Sequence, residues 1–494
     1  MRRVKWIFAA AFVTGCQSSE PVPLAPGHTA GLSYPGLKRA PDAMPAGGVV
    51  QQAGSVEPRR DEPAGSAEEP IDLAAALRLA GVDNPAINLA RERVRESLAD
   101  QLAARSVILP HLAVGGNFRA HNGPLQTSGS TIADVKLQSL DVGFGTGAIG
   151  GGTATIPGVR LFAHLGDAAY EPLAAKQRLA ARTGESAAVQ NQVLLEVAIA
   201  YFDLIAAEAR FEILKASEAE LAAVAKVAKD FADAGQGIRA DANRAAVNRD
   251  LVARQLAQAE GMRAAASARL ARLLNLDPAV RLRTPGGPVE WVRLIDEDAD
   301  VESLIATATE NRPEVAVQSA VIQAARTRVK QEKARPFLPV LSVGFSAGGM
   351  SGGRGADDYS AMRARTDFDA FAVWNMQNLG FGNRARVRTA DAAVGQAVAL
   401  YEGTVNRIRR EVATAQADAQ AASRQITFAR SALAAAEDGY KLEGERIRQG
   451  QGRPIETLDS FRQLLDARLE FLRSIVAFNA AQFRLFAALG NTPH

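Results

Sequence analysis

One stretch of this chain recurs further along it in the same order. When residue 196 is aligned on residue 411, a constant offset of 215 positions, identical or similar residues coincide without a gap up to residue 278. The coincidences are Glu196-Val197-Ala198 with Glu411-Val412-Ala413, Asp203 with Asp418, Gly235-Gln236-Gly237 with Gly450-Gln451-Gly452, Asp241 with Glu456, Arg269-Leu270 with Arg484-Leu485, and Pro278 with Pro493. Such an ungapped register indicates internal duplication, so we expect two copies of one structural unit.

The repeated stretch is rich in alanine and predicts long helices. Hydrophobic residues make up 47% of the chain but aromatic residues only 6%, which favours helices packed closely along their length. A helix from about residue 180 to residue 234 would be roughly 80 Å long. In the last helix, heptad-like spacing predicts coiled-coil packing. The apolar positions with this spacing are Leu465, Leu469, Leu472, Val476, Phe483 and Phe486.

A shorter helix and strand-like segments precede each long helix. Prolines bound the shorter helices at residues 85 and 110 and again at residues 313 and 339, where a helix can begin or must stop. Period-two alternation then predicts four strands per chain. These lie at residues 111–120, 158–167, 341–347 and 368–380. Because closed barrels need about eight strands, the four form either a small soluble sheet or a barrel shared by several chains.

The N-terminal sequence MRRVKWIFAAAFVTGC predicts export and a lipid anchor. A basic start, a short apolar stretch and small residues before Cys16 are typical of a lipoprotein signal peptide over residues 1–15. Acylation of Cys16, with Gln17 after it, favours the outer membrane; the alternative is an ordinary signal peptide with an incidental cysteine. Residues 16–70 are rich in Pro, Gly and charge, which predicts a flexible tether. No later run of 18 apolar residues exists, so a membrane crossing would require strands.

Several function classes have no support in the sequence. The net charge is +3 without a basic stripe, so we expect no nucleic-acid partner. The five histidines are scattered and no HExxH or CxxC spacing occurs, so we expect no metal site and no cofactor. No nucleophile lies in a pattern with a base, so we expect no enzymatic activity.

These elements occur twice in the same order, after a sequence typical of lipoprotein signal peptides. This organisation resembles the TolC-like outer-membrane efflux protein family, and the chain resembles a lipoprotein member of that family. The motifs that carry the resemblance are NRPE and LPVLSV, NLGFGNRARV, AGQGIRADANRAA, GQGRPIETLDSF, ARLLNLDP and FAALGNTP. The resemblance covers roughly residues 71–490 and implies two repeats, at residues 71–285 and 286–494. It implies a mainly α fold with a small β part. Duplicated coiled-coil hairpins would form a periplasmic α-barrel, and four strands per chain would join a trimeric twelve-stranded transmembrane β-barrel.

The resemblance also implies a function and partners. The protein would be the outer-membrane channel of a tripartite efflux or type I secretion system, anchored to outer-membrane lipid and extending into the periplasm. As a homotrimer it would passively conduct solutes delivered by a periplasmic adaptor (membrane fusion) protein and an inner-membrane pump. The cargo, whether drug, metal or protein, stays open. The alternative is a lipid-anchored periplasmic coiled-coil scaffold without channel activity.

Two sets of candidate site residues follow from the resemblance. The turns of the helical hairpins would face the adaptor; alternatively, their glycines only make the turns. These tip residues are Gly235, Gly237, Ile238, Arg239, Asp241, Gly450, Gly452, Arg453, Pro454 and Glu456. Acidic residues near the tips would narrow the tunnel; alternatively, they are only solvated surface charges. These are Asp230, Glu437 and Asp438.

Overall fold

The structure, a computed structural model, describes residues 68–146, 156–235, 238–287, 289–354, 360–449 and 454–493. The predicted signal peptide, Cys16 and the predicted tether up to residue 67 lie outside the described residues. All described residues belong to one contact-defined unit, Ala64–His494.

The described elements repeat a pattern of two short helices, strands and a long helical hairpin. The helices are α1 (Leu73–Asp83), α2 (Pro85–Ser106), α3 (Leu165–Asp233), α4 (Arg239–Leu273), α5 (Val301–Asn311), α6 (Pro313–Ala334), α7 (Phe381–Arg448) and α8 (Pro454–Ala488). The strands are β1 (Glu68–Pro70), β2 (His111–Leu112), β3 (Val114–Gln126), β4 (Ile132–Thr146), β5 (Ile156–Pro157), β6 (Val159–His164), β7 (Arg281–Arg283), β8 (Val340–Gly353) and β9 (Arg363–Val373). The proline-bounded helices and the long hairpins are therefore where the sequence predicts them.

The two long helices dominate the fold. Helix α3 has 69 residues and helix α7 has 68. At 1.5 Å per residue each extends about 100 Å. Helix α3 is longer than predicted because it begins at Leu165, directly after β6, rather than near residue 180. Its first turn is capped by His164, whose Nδ1 accepts a hydrogen bond from the Gly166 amide at 3.0 Å.

The helices lie side by side in one layer. Towards the hairpin turns the order is α4, α3, α8 and α7, and towards the strands it is α2, α3, α6 and α7. The end of α4 meets the start of α2, where the Asn84 side-chain amide donates to the Leu273 carbonyl at 2.8 Å. The end of α8 meets the start of α6, where Gly490 lies against Asn311 and Arg312. Both repeats therefore have a helix-to-helix joint at the same level.

Small and branched apolar side chains fill the space between the helices. Near the hairpin turns, α3, α4 and α8 share one buried cluster that includes Leu221, Ala245 and Phe461. Four of the six predicted heptad positions, Leu465, Leu469, Leu472 and Phe483, are buried, as the coiled-coil pattern requires. Burying each leucine contributes about 1.5–3 kcal/mol. The alanines let helix axes approach closely, so the core follows the length of the helices.

The main sheet contains seven strands but is four positions wide. Strand β8 pairs with β9 along one edge and with β4 and then β6 along the other. Strands β4 and β6 therefore follow one another along a single line. Strands β2 and β3 pair with β6 and β4, respectively, so they also form one line. The four lines agree with the predicted number of strands, although the sequence did not predict β4.

Strand ends differ from the prediction at two other places. The segment predicted at 158–167 is a strand only at β6, because α3 begins at Leu165. The segment predicted at 368–380 is β9, which starts five residues earlier at Arg363 and ends at Val373. A 3-10 turn follows it at Gln377–Gly380, where Asn378 and Leu379 have left-handed backbone angles. These backbone angles are incompatible with a strand.

The two faces of the sheet have opposite chemistry, as the period-two pattern predicts. One face carries large exposed apolar side chains, which are Phe118, Val142, Phe144, Phe345 and Phe368. The other face carries polar and charged side chains, which are Asn117, Arg119, Asp141, Ser346, Arg363, Arg365 and Asp367. A sheet with one apolar face exposes that face to a nonaqueous or protein partner. In the part of the chain that the structure describes, no helix is both long and apolar enough to cross a membrane.

A linker segment, residues 289–300, crosses one side of the helical layer. Buried polar side chains of the helices bind its backbone: Asn479 and Gln482 of α8 accept from the amides of Val292, Leu294 and Ile295 at 2.8–3.0 Å. Gln416 of α7 donates to the Ala299 carbonyl at 2.6 Å. Helices α1 and α5 pack on the α3 and α7 helices through apolar clusters. We call the side of the layer that contacts the linker the linker face, and the opposite side the open face.

Candidate functional site

The first hairpin turn joins α3 to α4. Gly235 has φ +72°, a left-handed conformation that glycine adopts without strain, and its amide donates to the Ala232 carbonyl at 3.1 Å. A side chain at Gly235 would meet no other atom within 4 Å, so the glycine serves the turn. Ile238 is 64% exposed and Arg239 is exposed beside it. Asp241 is part-buried and lies 3.5 Å from Arg244.

The second hairpin turn joins α7 to α8. Gly450, Gly452 and Arg453 lie outside the described residues, as does Gly237 of the first turn. Pro454 begins α8, a position where a helix needs no backbone donor. Arg446 near the end of α7 lies 3.5 Å from Glu456 in the first turn of α8, so this ion pair links the two sides of the turn.

The two hairpins pack against one another near their tips. The cluster shared by α3, α4 and α8 includes Ala228 and Ala245, next to the first turn, and Leu458, next to the second. Tyr440 of α7 stacks edge-on against Phe461 with ring centroids 5.6 Å apart. The two predicted tips of one chain are therefore neighbours. Docking of a partner at the tips stays a prediction.

The three acidic candidates for a constriction all lie on the surface of this single chain. Asp230 is exposed one turn before the end of α3, and Glu437 and Asp438 are exposed on α7. The backbone carbonyl of Asp230 accepts from the Ala234 amide at 3.0 Å, which closes the last turn of the helix. Exposure agrees with both interpretations of these residues, as a lumen ring or as solvated charges, so the constriction stays a prediction.

The open face has a feature that the sequence did not predict: two neighbouring cavities lined by arginines. The upper cavity, of about 600 Å³, lies between α3, α7 and the joint of α8 with α6. The lower cavity, of about 710 Å³, lies between α4, α3 and α8. Their arginines are Arg210, Arg269, Arg312, Arg407, Arg410, Arg473 and Arg484, and we call this set the arginine face. Arg484 lines both cavities, so the arginine face is continuous.

Arg312 anchors the upper part of this face in an ion network. Its guanidinium lies 2.5 Å from Glu314 and also binds Glu411 of α7, which in turn lies 3.7 Å from Arg407. Burial alone would raise the pKa of Glu314, but the hydrogen bonds and positive charge of Arg312 outweigh it and hold the pKa below the ordinary 4.5. The carboxylates are therefore charged partners that fix the start of α6 against α7.

Comparison with known proteins agrees with the fold. Residues 304–491 match the family described as outer membrane efflux protein. Protein CyaE of Bordetella pertussis is 28% identical over 309 residues, which covers 61% of this chain and 63% of CyaE. Outer membrane protein OprJ of Pseudomonas aeruginosa is 32% identical over 111 residues, which covers 22% of this chain and 23% of OprJ. The chain thus spans just under two thirds of the first relative and a quarter of the second.

The three-dimensional likeness extends over most of the chain. The outer-membrane channel OprN superposes with a TM-score of 0.70, at 20% identity, over 85% of this chain and 90% of OprN. The chain therefore shares its fold with the outer-membrane channel OprN, and its residues 304–491 are similar to the outer membrane efflux protein family.

Proposed function

We propose that this protein is an outer-membrane channel that three copies of the chain build together. It conducts exported solutes passively from the periplasm to the outside. The observation that carries the proposal is a sheet with one apolar and one polar face joined directly to helices about 100 Å long. An apolar outer surface suits lipid, and a polar inner surface suits a water-filled passage.

The edges of the sheet support assembly from several chains. Within the described strands, β3 pairs only with β4, and β9 pairs only with β8. Each therefore presents an edge without a neighbour, which is costly in a membrane unless another strand covers it. Pairing of β9 of one copy with β3 of the next closes the sheet. Three copies of a four-line sheet give twelve lines, above the number of about eight that a closed barrel needs.

The helices support a passage that continues into the periplasm. The α3 and α7 helices follow β6 and the turn after β9 almost without interruption, so a ring of sheets continues as a ring of helices. At the far end the two hairpin tips of each chain lie side by side. We propose that these tips receive a periplasmic adaptor, with Ile238 and Arg239 exposed to it, and that an inner-membrane pump energises export.

The lipid anchor is a further part of the proposal. Its support is the VTGC sequence that ends at Cys16, the sole cysteine of the chain. Metabolic labelling with radioactive palmitate tests it: we expect incorporation into the native protein and none into Cys16→Ser. Labelling of both proteins or of neither would contradict acylation at Cys16.

Single-channel recording tests the channel itself. The protein is extracted from outer membranes with detergent and added to planar lipid bilayers in about 1 M KCl. At this concentration surface charges are screened within about 3 Å. We expect discrete conductance steps and a detergent-stable trimer by cross-linking. If the protein were a periplasmic scaffold, the Cys16→Ser variant would be soluble without detergent, and the native protein would give no conductance.

The tip residues are tested separately from the channel. The double variant Arg239→Glu, Arg453→Glu reverses one charge at each tip, while Arg95→Glu, on the exposed side of α2, reverses a charge far from both tips. If the tips bind the adaptor encoded beside this protein, the double variant weakens cysteine cross-linking between Ile238→Cys and that adaptor, whereas Arg95→Glu does not. Equal cross-linking in both variants would limit the tips to a turn-forming role.

A further inference from the structure

We infer that the arginine face makes the tunnel favour anionic solutes at the level of the helix joints. The inference rests on the proposed channel function and names the charge class of its cargo. It depends on which side of the helical layer faces the passage, and on which charges there lack partners.

The open face is the side that can line a passage. The linker segment, α1 and α5 all cover the linker face, where the buried side chains of Phe202, Asn479 and Gln482 hold them. If that side faced inward, three copies of this covering would fill the ring. A conducting ring therefore places the linker face outside and the open face inside.

The arginine face follows one stripe along each helix. On α3 the cavity-lining residues include Gln192, Leu195, Ile199, Asp203 and Arg210, at spacings of three, four, four and seven. The intervening Phe202, Ile205 and Glu208 line the opposite side, under the linker. Spacings of three and four keep side chains on one side of a helix, so the two cavities belong to one surface.

Three arginines on this surface have no carboxylate partner in the part of the chain that the structure describes. Arg269 pairs with Asp203 at 2.8 Å, Arg473 with Glu470 at 2.8 Å, and Arg312 and Arg407 share Glu314 and Glu411. Among the described residues, no ion pair involves Arg210, Arg410 or Arg484, and Nε of Arg210 is buried without a hydrogen-bond partner.

Carboxylates are fewer than arginines on this face. Of the four carboxylates that line the two cavities, Asp418 alone lacks an ion pair within the described part of the chain. Three unpaired arginines against one unpaired aspartate give each chain a surplus of positive charge on this face. A surplus of one sign in a passage with low-dielectric walls raises the local concentration of the opposite ion. Guanidinium groups also bind carboxylates and phosphates in a two-pronged geometry, so organic anions are the class of solute that fits.

The test measures the reversal potential across a bilayer with a tenfold KCl gradient, at an ionic strength of about 0.1 M on the dilute side, where screening extends about 10 Å. The triple variant Arg210→Gln, Arg410→Gln, Arg484→Gln removes the unpaired charges. The matched control, Arg263→Gln, Arg283→Gln, Arg468→Gln, removes three charges that line the cavity under the linker on the opposite face. Detergent-stable trimer formation shows that each variant assembles.

We expect the chloride-to-potassium permeability ratio to fall at least about twofold in the triple variant and to stay unchanged in the control, because only the first set faces the passage. The difference should shrink in concentrated salt. Conductance with the same ratio in the native protein and the triple variant would overturn the inference and leave the channel standing. An equal fall in the control would also overturn the inference, because the effect on permeability would then not depend on which face carries the arginines. A native protein that gives no conductance at all would instead refute the channel function.

Discussion

The two helix joints occupy equivalent places in the two repeats but are held together differently. In the first repeat, Asn84 accepts from the Ala86 amide at 2.9 Å to cap α2, and it donates to the Leu273 carbonyl at the end of α4. In the second repeat, Arg312 stands at the cap position of α6 without a side-chain cap and binds Glu314 and Glu411. A neutral amide therefore joins one pair of helices, and a charged network joins the other.

A second aligned pair also differs. Asp203 and Arg269 form an ion pair between α3 and α4. Their counterparts at an offset of 215, Asp418 and Arg484, line one cavity, yet neither has an ion-pair partner among the described residues. The difference shows that equivalent helix positions do not require the same polar contacts. An exposed ion pair such as Asp203–Arg269 contributes little once the helices are in place, so the helices can keep their arrangement without it.

The largest effect is expected at the charged joint. Arg312→Met leaves Glu314 and Glu411 without their main partner, which we expect to cost about 2–3 kcal/mol. The cost stays below the range for a fully buried network because the Glu411 side chain is 33% exposed. Urea unfolding of the detergent-solubilised protein measures this cost, because urea is uncharged and does not screen the ion network. Adding Glu314→Gln and Glu411→Gln should recover part of the loss, and no recovery would show that the charges are not the cause.

The neutral joint should respond more weakly. Asn84→Ala removes both the cap of α2 and the hydrogen bond to the Leu273 carbonyl, at an expected cost of about 1–2 kcal/mol in the same unfolding experiment. Asn84→Ser retains an acceptor for the cap and should lose roughly half as much. If Asn84→Ala were as costly as Arg312→Met, the contrast between the two joints would not hold.

The pH dependence of stability should further distinguish the charged joint from the neutral joint. Glu314 has a pKa below its ordinary 4.5 in the folded protein. A depressed pKa contributes stability above the unfolded value, and this contribution is lost as the pH falls through the folded value. Thermal unfolding between about pH 6 and about pH 3, a range that brackets the ordinary pKa of Glu, should show a steeper loss in the native protein than in Glu314→Gln. Parallel curves would contradict the role of Arg312.

The smallest effect is expected at the aligned arginines. Arg269→Gln removes an ion pair whose side chains are 57% and 43% exposed, which we expect to cost about 0.2–1 kcal/mol. Arg484→Gln removes no ion pair to any described residue and should change the free energy of unfolding by less. Repeating both measurements at 1 M salt should abolish the difference, since exposed pairs are screened at about that ionic strength. A larger loss at Arg484 would point to a partner in the assembled trimer.

Much of the architecture was predictable because it depends on local patterns. The prolines at residues 85 and 313 mark helix starts, and period-two alternation marks β3, β8 and β9. Gly235 marks a turn because it has the left-handed backbone that glycine favours. The constant offset between the copies predicted two hairpins. These signals act over a few residues or repeat along the chain, so the sequence alone determines them.

Other features were decided only by the tertiary structure. The apolar residues of strand β4 alternate but change from one face to the other between Leu137 and Leu140, and β4 runs across this break because β3 and β8 pair with its two edges. The burial of the polar side chains of Asn479 and Gln482 is explained only by a linker nearly 190 positions away, whose backbone they bind. One such hydrogen bond runs from the Leu294 amide to the Gln482 side chain. The arginine face joins four separate helices, so no spacing in the sequence reveals it. Long-range pairing depends on which backbones meet, and the local pattern of residues does not contain that information.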